Sequence, residues 1–158
     1  MQRMITILGP TASGKTPLAA ALAAEIGGEI ISADSRQVYR RMDIGTGKDL
    51  ADYGAVPYHL IDIREPGTKY NLFEYQQDFF DVYEDIRSRG AIPILCGGTG
   101  LYIEAVLKGY HLSPVPQNQE LRDALDYRFQ SLLHGWPADM NPHRWYCACS
   151  NPSWPSVP

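Results

Sequence analysis

The 158-residue chain carries no strong excess of charge of either sign. Its 14 lysines and arginines are set against 18 aspartates and glutamates, for a formal net charge of −4. Binding nucleic acid over a whole surface generally requires a strong positive field, so that class is disfavoured, while a local basic patch stays open. No apolar run approaches the about 20 residues that span a bilayer, and no membrane association is expected. The opening Met1-Gln2-Arg3 passes directly into an apolar strand and lacks the form of a secretory signal, so the cytoplasm is the expected compartment. Cysteine is scarce. The odd set Cys96, Cys147 and Cys149 argues against a disulfide framework. Cys96 sits in an apolar run and reads as a small core residue. Cys147-Ala148-Cys149 has no second pair with which to complete a zinc site.

The length suits one domain with little left over. Apolar residues make up 44% and charged residues 20%, the balance of an ordinary globular protein. Its strongest signal is Gly9-Pro10-Thr11-Ala12-Ser13-Gly14-Lys15-Thr16, which meets the phosphate-loop pattern G-x-x-x-x-G-K-[ST] at every fixed position. Glycines let the backbone fold back so that successive N–H groups converge on one oxyanion cluster. Lys15 adds a point charge, and the Thr16 hydroxyl is placed to hold Mg²⁺. The apolar strand Met4–Leu8 precedes the loop, and the helical run Pro17–Ala24 follows it, aiming its N-terminal dipole at the phosphates. The expected ligand is a di- or triphosphate.

Further strands are expected at Glu29–Asp34, Tyr58–Ile63 and Ala91–Cys96, the last nearly all apolar as a buried parallel strand should be. Gly27-Gly28 ends the first helix. Asn71, with Glu74 three residues on, opens a long helix with a capping-box-like pair. Its stripe of Leu72, Tyr75, Phe79, Val82, Tyr83 and Ile86 is core packing, and Gly90 closes it. Leu101–Leu107 reads as another helix. Alternation of strand and helix points to an α/β fold, a P-loop NTPase-like doubly wound parallel sheet. Leu121–Phe129 reads as an amphipathic helix. Past His134 the character changes: all three tryptophans, two cysteines and a cluster of prolines leave no periodicity.

Three features converge at the carboxyl edge of such a sheet, where ligands bind. They are the phosphate loop, Asp34-Ser35-Arg36-Gln37, and Gly97-Gly98-Thr99-Gly100. Asp34 can bind a metal, act as general base, or merely cap a helix. Thr99 can contribute to the site or cap the helix after it. Asp62 reads equally as a Walker-B-type carboxylate or as a structural residue. His59 reads as a hydrogen-bonded structural histidine. Lys48 and Lys69 read as solvated loop lysines.

The chain resembles the tRNA dimethylallyltransferases, also called tRNA isopentenyl transferases. The matching pieces are Gly9–Thr16, Asp34-Ser35-Arg36-Gln37-Val38-Tyr39, Tyr58-His59-Leu60-Ile61-Asp62-Ile63 and Cys96-Gly97-Gly98-Thr99-Gly100-Leu101-Tyr102, spread over roughly residues 1 to 128. The resemblance implies transfer of a dimethylallyl group from dimethylallyl diphosphate to N6 of an adenosine beside the tRNA anticodon. It implies that Thr11 to Thr16 line the diphosphate site and that Asp34 is the general base. Asp34, Ser35, Arg36, Gln37 and Thr99 would face the anticodon stem-loop. Residues 1–112 would form an incomplete catalytic core and 113–133 the start of a helical insertion. The 134–158 tail reads as non-native, as from a truncated or frameshifted reading frame. Monomeric behaviour is expected. Three other readings stay open: a small-molecule kinase that uses ATP and needs a lid arginine, prenylation of free adenine nucleotides, and a non-enzymatic fragment that keeps a phosphate nest.

Overall fold

The computed structural model describes residues 4–48, 50–113, 118, 120, 121, 123–125, 127 and 128. The chain divides into two compact units, Met1–Pro114 and Val115–Pro158. In the second unit, residues 120, 121, 123–125, 127 and 128 are helical, and the Leu121 N–H donates to Asn118 Oδ1 at 2.9 Å. The expected irregular tail, 134–158, lies outside the described residues.

The first unit runs β1 (Ile5–Leu8), α1 (Lys15–Ile26), β2 (Gly28–Ser32), a 3₁₀ turn (Leu50–Tyr53), β3 (Tyr58–His59), α2 (Leu72–Ser88), β4 (Ile92–Gly97) and α3 (Gly100–Leu107). All strand pairs are parallel, in the order β1-β4-β2-β3. The two-residue alternation of a strand sends neighbouring side chains to opposite faces. Ile30, Ile94 and Cys96 therefore pack with Ala19, Ala20 and Ala23 of α1 on one side. Ile31 and Leu95 pack on the other, against Tyr75, Phe79 and Ile86 of α2 and Tyr102, Ile103 and Val106 of α3. Helices thus cover both faces, as the doubly wound reading requires. The aromatic stripe of α2 is core: Tyr75 and Phe79 are buried, and the Tyr75 ring stacks on Tyr102 at 3.9 Å.

Local signals act where the sequence puts them. The Asn71 side chain accepts from the Glu74 N–H at 3.0 Å, and Glu74 Oε2 accepts from the Asn71 N–H at 2.9 Å. At the end of α1, Gly27 takes a left-handed φ of 67° and its N–H returns to Ala23 O.

One strand is shorter than expected. β3 stops at His59, because Leu60 and Asp62 adopt positive φ of 62° and 56°, which no strand accommodates. The chain beyond is drawn onto the segment after β2: the Asp62 N–H donates to Gln37 O at 3.0 Å and the Ile63 N–H to Val38 O at 2.9 Å. His59 is structural, as expected; its Nε2 lies 2.7 Å from Glu29 Oε2. Burial of Glu29 opposes its ionisation, but hydrogen bonds from His59 and Arg89 outweigh this and hold the carboxyl below its usual range.

β4 lies between β1 and β2, so the loops that follow these three strands emerge side by side. The contact is tight. A Cβ added to Gly97 would stand 2.3 Å from Ala33 O, against backbone that has no room to move. Gly97→Ala is therefore expected to cost roughly 3 kcal/mol or more, the scale of severe overpacking in a core. Urea unfolding measures it, and an unchanged midpoint would contradict this packing.

Candidate active site

The site begins with the loop after β1. Ala12 and Gly14 hold positive φ of 61° and 79°, the reversals that curl the backbone between β1 and α1. Residues Thr11 to Thr16 line one cavity of about 260 Å³. That lies near the lower end of ligand-pocket sizes, about 300–1,000 Å³, and suits a diphosphate with a short chain better than a dinucleotide. Gly9 and Pro10 lead into the loop; Lys15 Nζ donates to Pro10 O at 2.5 Å, folding the ammonium back over it.

The second wall comes from the end of β2. Asp34 lines the cavity, and its Oδ1 accepts from the Arg36 N–H at 2.9 Å. This is an Asx turn, not the helix cap that the sequence left open. Gln37 also lines the cavity, buried, with its amide engaged: Oε1 accepts from the Ser32 hydroxyl at 3.2 Å and Nε2 donates to Gly47 O at 3.0 Å. Ser35, Arg36 and Thr99 do not line it. Thr99 Oγ1 accepts from the Ser35 N–H at 3.0 Å and makes no side-chain cap on α3. Its contact is to the Asp34-Ser35 turn, which it holds against the start of α3. Gly97 and Gly98, after β4, form the floor.

Three contributions escaped the sequence. Thr46 and Gly47 reach the cavity from the loop between β2 and the 3₁₀ turn, and Asp52 and Tyr53 reach it from that turn. Cys96, expected in the core, also borders it; burial pushes its thiol up, opposed by Lys15, so it stays neutral. The Gly45-Thr46-Gly47 spacing was a usable signal, since Gly45 and Gly47 take positive φ of 75° and 64°. Nothing local marks Asp52 or Tyr53.

Lys48 corrects an expectation. It is not solvated: its side chain is fully buried and donates to Asp62 Oδ1 at 2.6 Å, Tyr39 O at 2.8 Å and Asp43 Oδ1 at 3.2 Å. Desolvation opposes its charge, but the hydrogen bonds to Asp62 and Asp43 outweigh it and raise its pKa above that of an ordinary lysine. This also settles Asp62, which pairs with Lys48 and does not line the cavity; the structural reading holds. Lys48 thereby pins the loop that carries Thr46 and Gly47. Lys48→Met leaves Asp62 without its cation and is expected to cost about 2–3 kcal/mol, below the full loss for a wholly buried pair because Asp62 keeps some solvent contact. Thermal unfolding checks this, and a neutral result would demote the pin.

The IPP transferase family model matches residues 37–142, and an isopentenyl transferase model matches residues 2–53. The chain belongs to the IPP transferase family. It is 74% identical over 126 residues to tRNA dimethylallyltransferase 1 of Parabacteroides distasonis, covering 77% of this chain and 41% of the relative. It is 70% identical over 123 residues to tRNA dimethylallyltransferase 2 of Bacteroides fragilis, covering 75% and 40%. Among solved structures, the full-length tRNA isopentenylpyrophosphate transferase of Bacillus halodurans superposes with a TM-score of 0.70 at 39% identity, covering 83% of this chain and 44% of that one. The chain thus spans about two fifths of the length of these curated relatives. The family's P-loop NTPase-like fold agrees with the parallel sheet and the loop after β1.

Proposed function

We propose that this chain acts in tRNA modification, transferring a dimethylallyl group from dimethylallyl diphosphate to N6 of an adenosine next to the anticodon. The single observation that carries the reading is the meeting of the phosphate loop and Asp34 in one cavity. Backbone N–H groups of residues 11–16 and the Lys15 ammonium take the diphosphate. Charge builds on that diphosphate as its bond to the allylic carbon breaks, and preorganised donors stabilise it. The exocyclic amine attacks the same carbon, and Asp34 accepts its proton. Positioned base catalysis of this kind gives roughly a hundred- to ten-thousand-fold. The target base must leave its stack to enter the cavity, which a loop nucleotide does at low cost.

Mg²⁺ fits the oxygen donors present, the Thr16 hydroxyl and the Asp34 and Asp52 carboxylates. Among the described residues no cluster of three metal-ligating side chains forms a closed cage. A Mg²⁺ ion bound with a diphosphate draws most of its ligands from phosphate and water. Thr16 would hold it; bound Mg²⁺ supplies charge neutralisation to the departing diphosphate. Asp34 and Gln37 would meet the anticodon loop at the cavity mouth, Ser35 and Arg36 at its margin, with Thr99 setting the turn. No described helix is long and apolar enough to cross a membrane, and we place the activity in the cytoplasm.

The kinase alternative needs an arginine over the phosphates. Arg40 and Arg41 instead pair with Glu65, at 3.1 and 3.6 Å, and neither lines the cavity. The discriminating experiment measures binding of dimethylallyl diphosphate and of ATP with Mg²⁺, then prenyl transfer to an anticodon stem-loop and to AMP. Prenylation of the stem-loop is expected. Phosphoryl transfer from ATP without prenylation would overturn the proposal, and prenylated AMP alone would move it to free nucleotides.

A further inference from the structure

Gln37 is buried, lines the cavity, and joins the end of β2 to the loop that supplies Thr46 and Gly47. Its Oε1 accepts from the Ser32 hydroxyl at 3.2 Å, and its Nε2 donates to Gly47 O at 3.0 Å. Ser32 is a fixed anchor: it is buried at the end of β2, and its carbonyl accepts from the Tyr75 hydroxyl of α2 at 3.2 Å. Gly47 has no such support of its own. Among the described residues, no backbone hydrogen bond joins residues 42–47 to a strand or a helix. The Thr46 hydroxyl closes the loop on Met42 O at 2.6 Å, a bond within the loop, and Lys48 fixes its far end. Gly45 and Gly47 are exposed, and a Cβ built on either would meet nothing within 4 Å. The position of this wall therefore depends on the Gln37 amide.

We propose that Gln37 is a positioning residue that sets the width of the cavity, so that the site takes a dimethylallyl chain and discriminates against longer allylic diphosphates. The inference rests on the diphosphate reading above and gives Gln37 a task besides meeting the anticodon loop. The diphosphate end of the ligand is held by the loop after β1. Its hydrocarbon end must lie against what borders the rest of the cavity, and Thr46 and Gly47 are part of that border. A hydrocarbon offers no directional bond, so its length is selected by where the walls stand. Here one wall stands where an amide–carbonyl hydrogen bond puts it. An amide also has donors and acceptors enough to hold Ser32 and Gly47 at once, which an apolar side chain of the same size cannot do.

The test uses the full chain, titrated by calorimetry at saturating Mg²⁺ with inorganic pyrophosphate, dimethylallyl diphosphate and the longer geranyl diphosphate. The unsubstituted chain is expected to prefer dimethylallyl over geranyl diphosphate by about tenfold or more. Gln37→Met keeps the volume and removes the tether. It should leave the pyrophosphate affinity within about twofold and shrink the preference roughly 3- to 10-fold, the net effect of one hydrogen bond. Ser32→Ala, at a position that does not border the cavity, removes the anchor of the same amide. It should move the preference in the same direction by a smaller factor, and adding it to Gln37→Met should change nothing further. Ser32→Ala decides alone if Gln37→Met does not fold. An unchanged preference in the folded variants, or an equal loss of affinity for all three ligands, would overturn the positioning role and leave the diphosphate site standing. So would equal binding of the two allylic diphosphates by the unsubstituted chain. Failure of that chain to bind pyrophosphate would instead remove the site itself, and this role with it.

Discussion

Lys15→Ala is expected to lower the affinity for dimethylallyl diphosphate roughly a hundredfold. The ammonium sits at the mouth of the curled loop, among N–H groups that are partial charges, and it is the phosphate loop's only full one. It donates to Pro10 O, a neutral carbonyl that phosphate oxygens would replace as its partner. A charge-assisted contact of this kind contributes about 2–3 kcal/mol, or roughly a hundredfold in affinity. The side chain is partly exposed and does not hold the fold together, so the thermal midpoint should move little. Calorimetric titration with the diphosphate decides the matter. An unchanged affinity would mean that the ligand binds elsewhere.

Asp34→Asn separates donor binding from transfer. Asparagine keeps an oxygen that can accept from the Arg36 N–H, so the Asx turn and the cavity wall survive. What it loses is the capacity to take a proton from the attacking amine. Affinity for dimethylallyl diphosphate should stay within about twofold, and transfer to the anticodon stem-loop should fall by roughly a hundred- to ten-thousand-fold. Single-turnover assays at saturating donor give the second quantity directly. Transfer at the original rate would reduce Asp34 to the residue that shapes the turn.

The two variants probe opposite walls of one cavity, and their separate outcomes follow from how it is built. The loop after β1 is a local structure, closed by its own glycines and by the N-terminus of α1. Asp34 is placed by the sheet: β2 carries it to the edge, and Thr99, two residues past the end of β4, accepts the Ser35 N–H beside it. Thr99, expected to face the tRNA, accepts a hydrogen bond from the turn that carries Asp34. A loss of transfer on replacing Thr99 would then arise through Asp34.

Much was legible from the chain alone. The phosphate loop, the capping box at Asn71 and the αL stop at Gly27 are set by contacts within a few residues, so their spacing is their mechanism. The parallel sheet followed from the same logic, because apolar runs alternating with helical ones can bury both faces only in that way. Even His59, on an apolar strand, was readable as a structural histidine. The errors have a common cause. Lys48 looked solvated because its partners Asp62 and Tyr39 lie 14 and 9 residues away, and only the return of the chain onto residues 37–39 brings them together. The same capture cut β3 to two residues. Asp52 and Tyr53 carry no motif because their role is defined by what α1 puts opposite them. The sequence by itself determined the curled phosphate-loop backbone and the kind of fold, since those rest on short-range backbone geometry and hydrophobic period. Tertiary structure decided which carboxylates border the cavity, which lysine is buried and which tyrosine lines the site, since those rest on strand order and on groups brought together from distant parts of the chain.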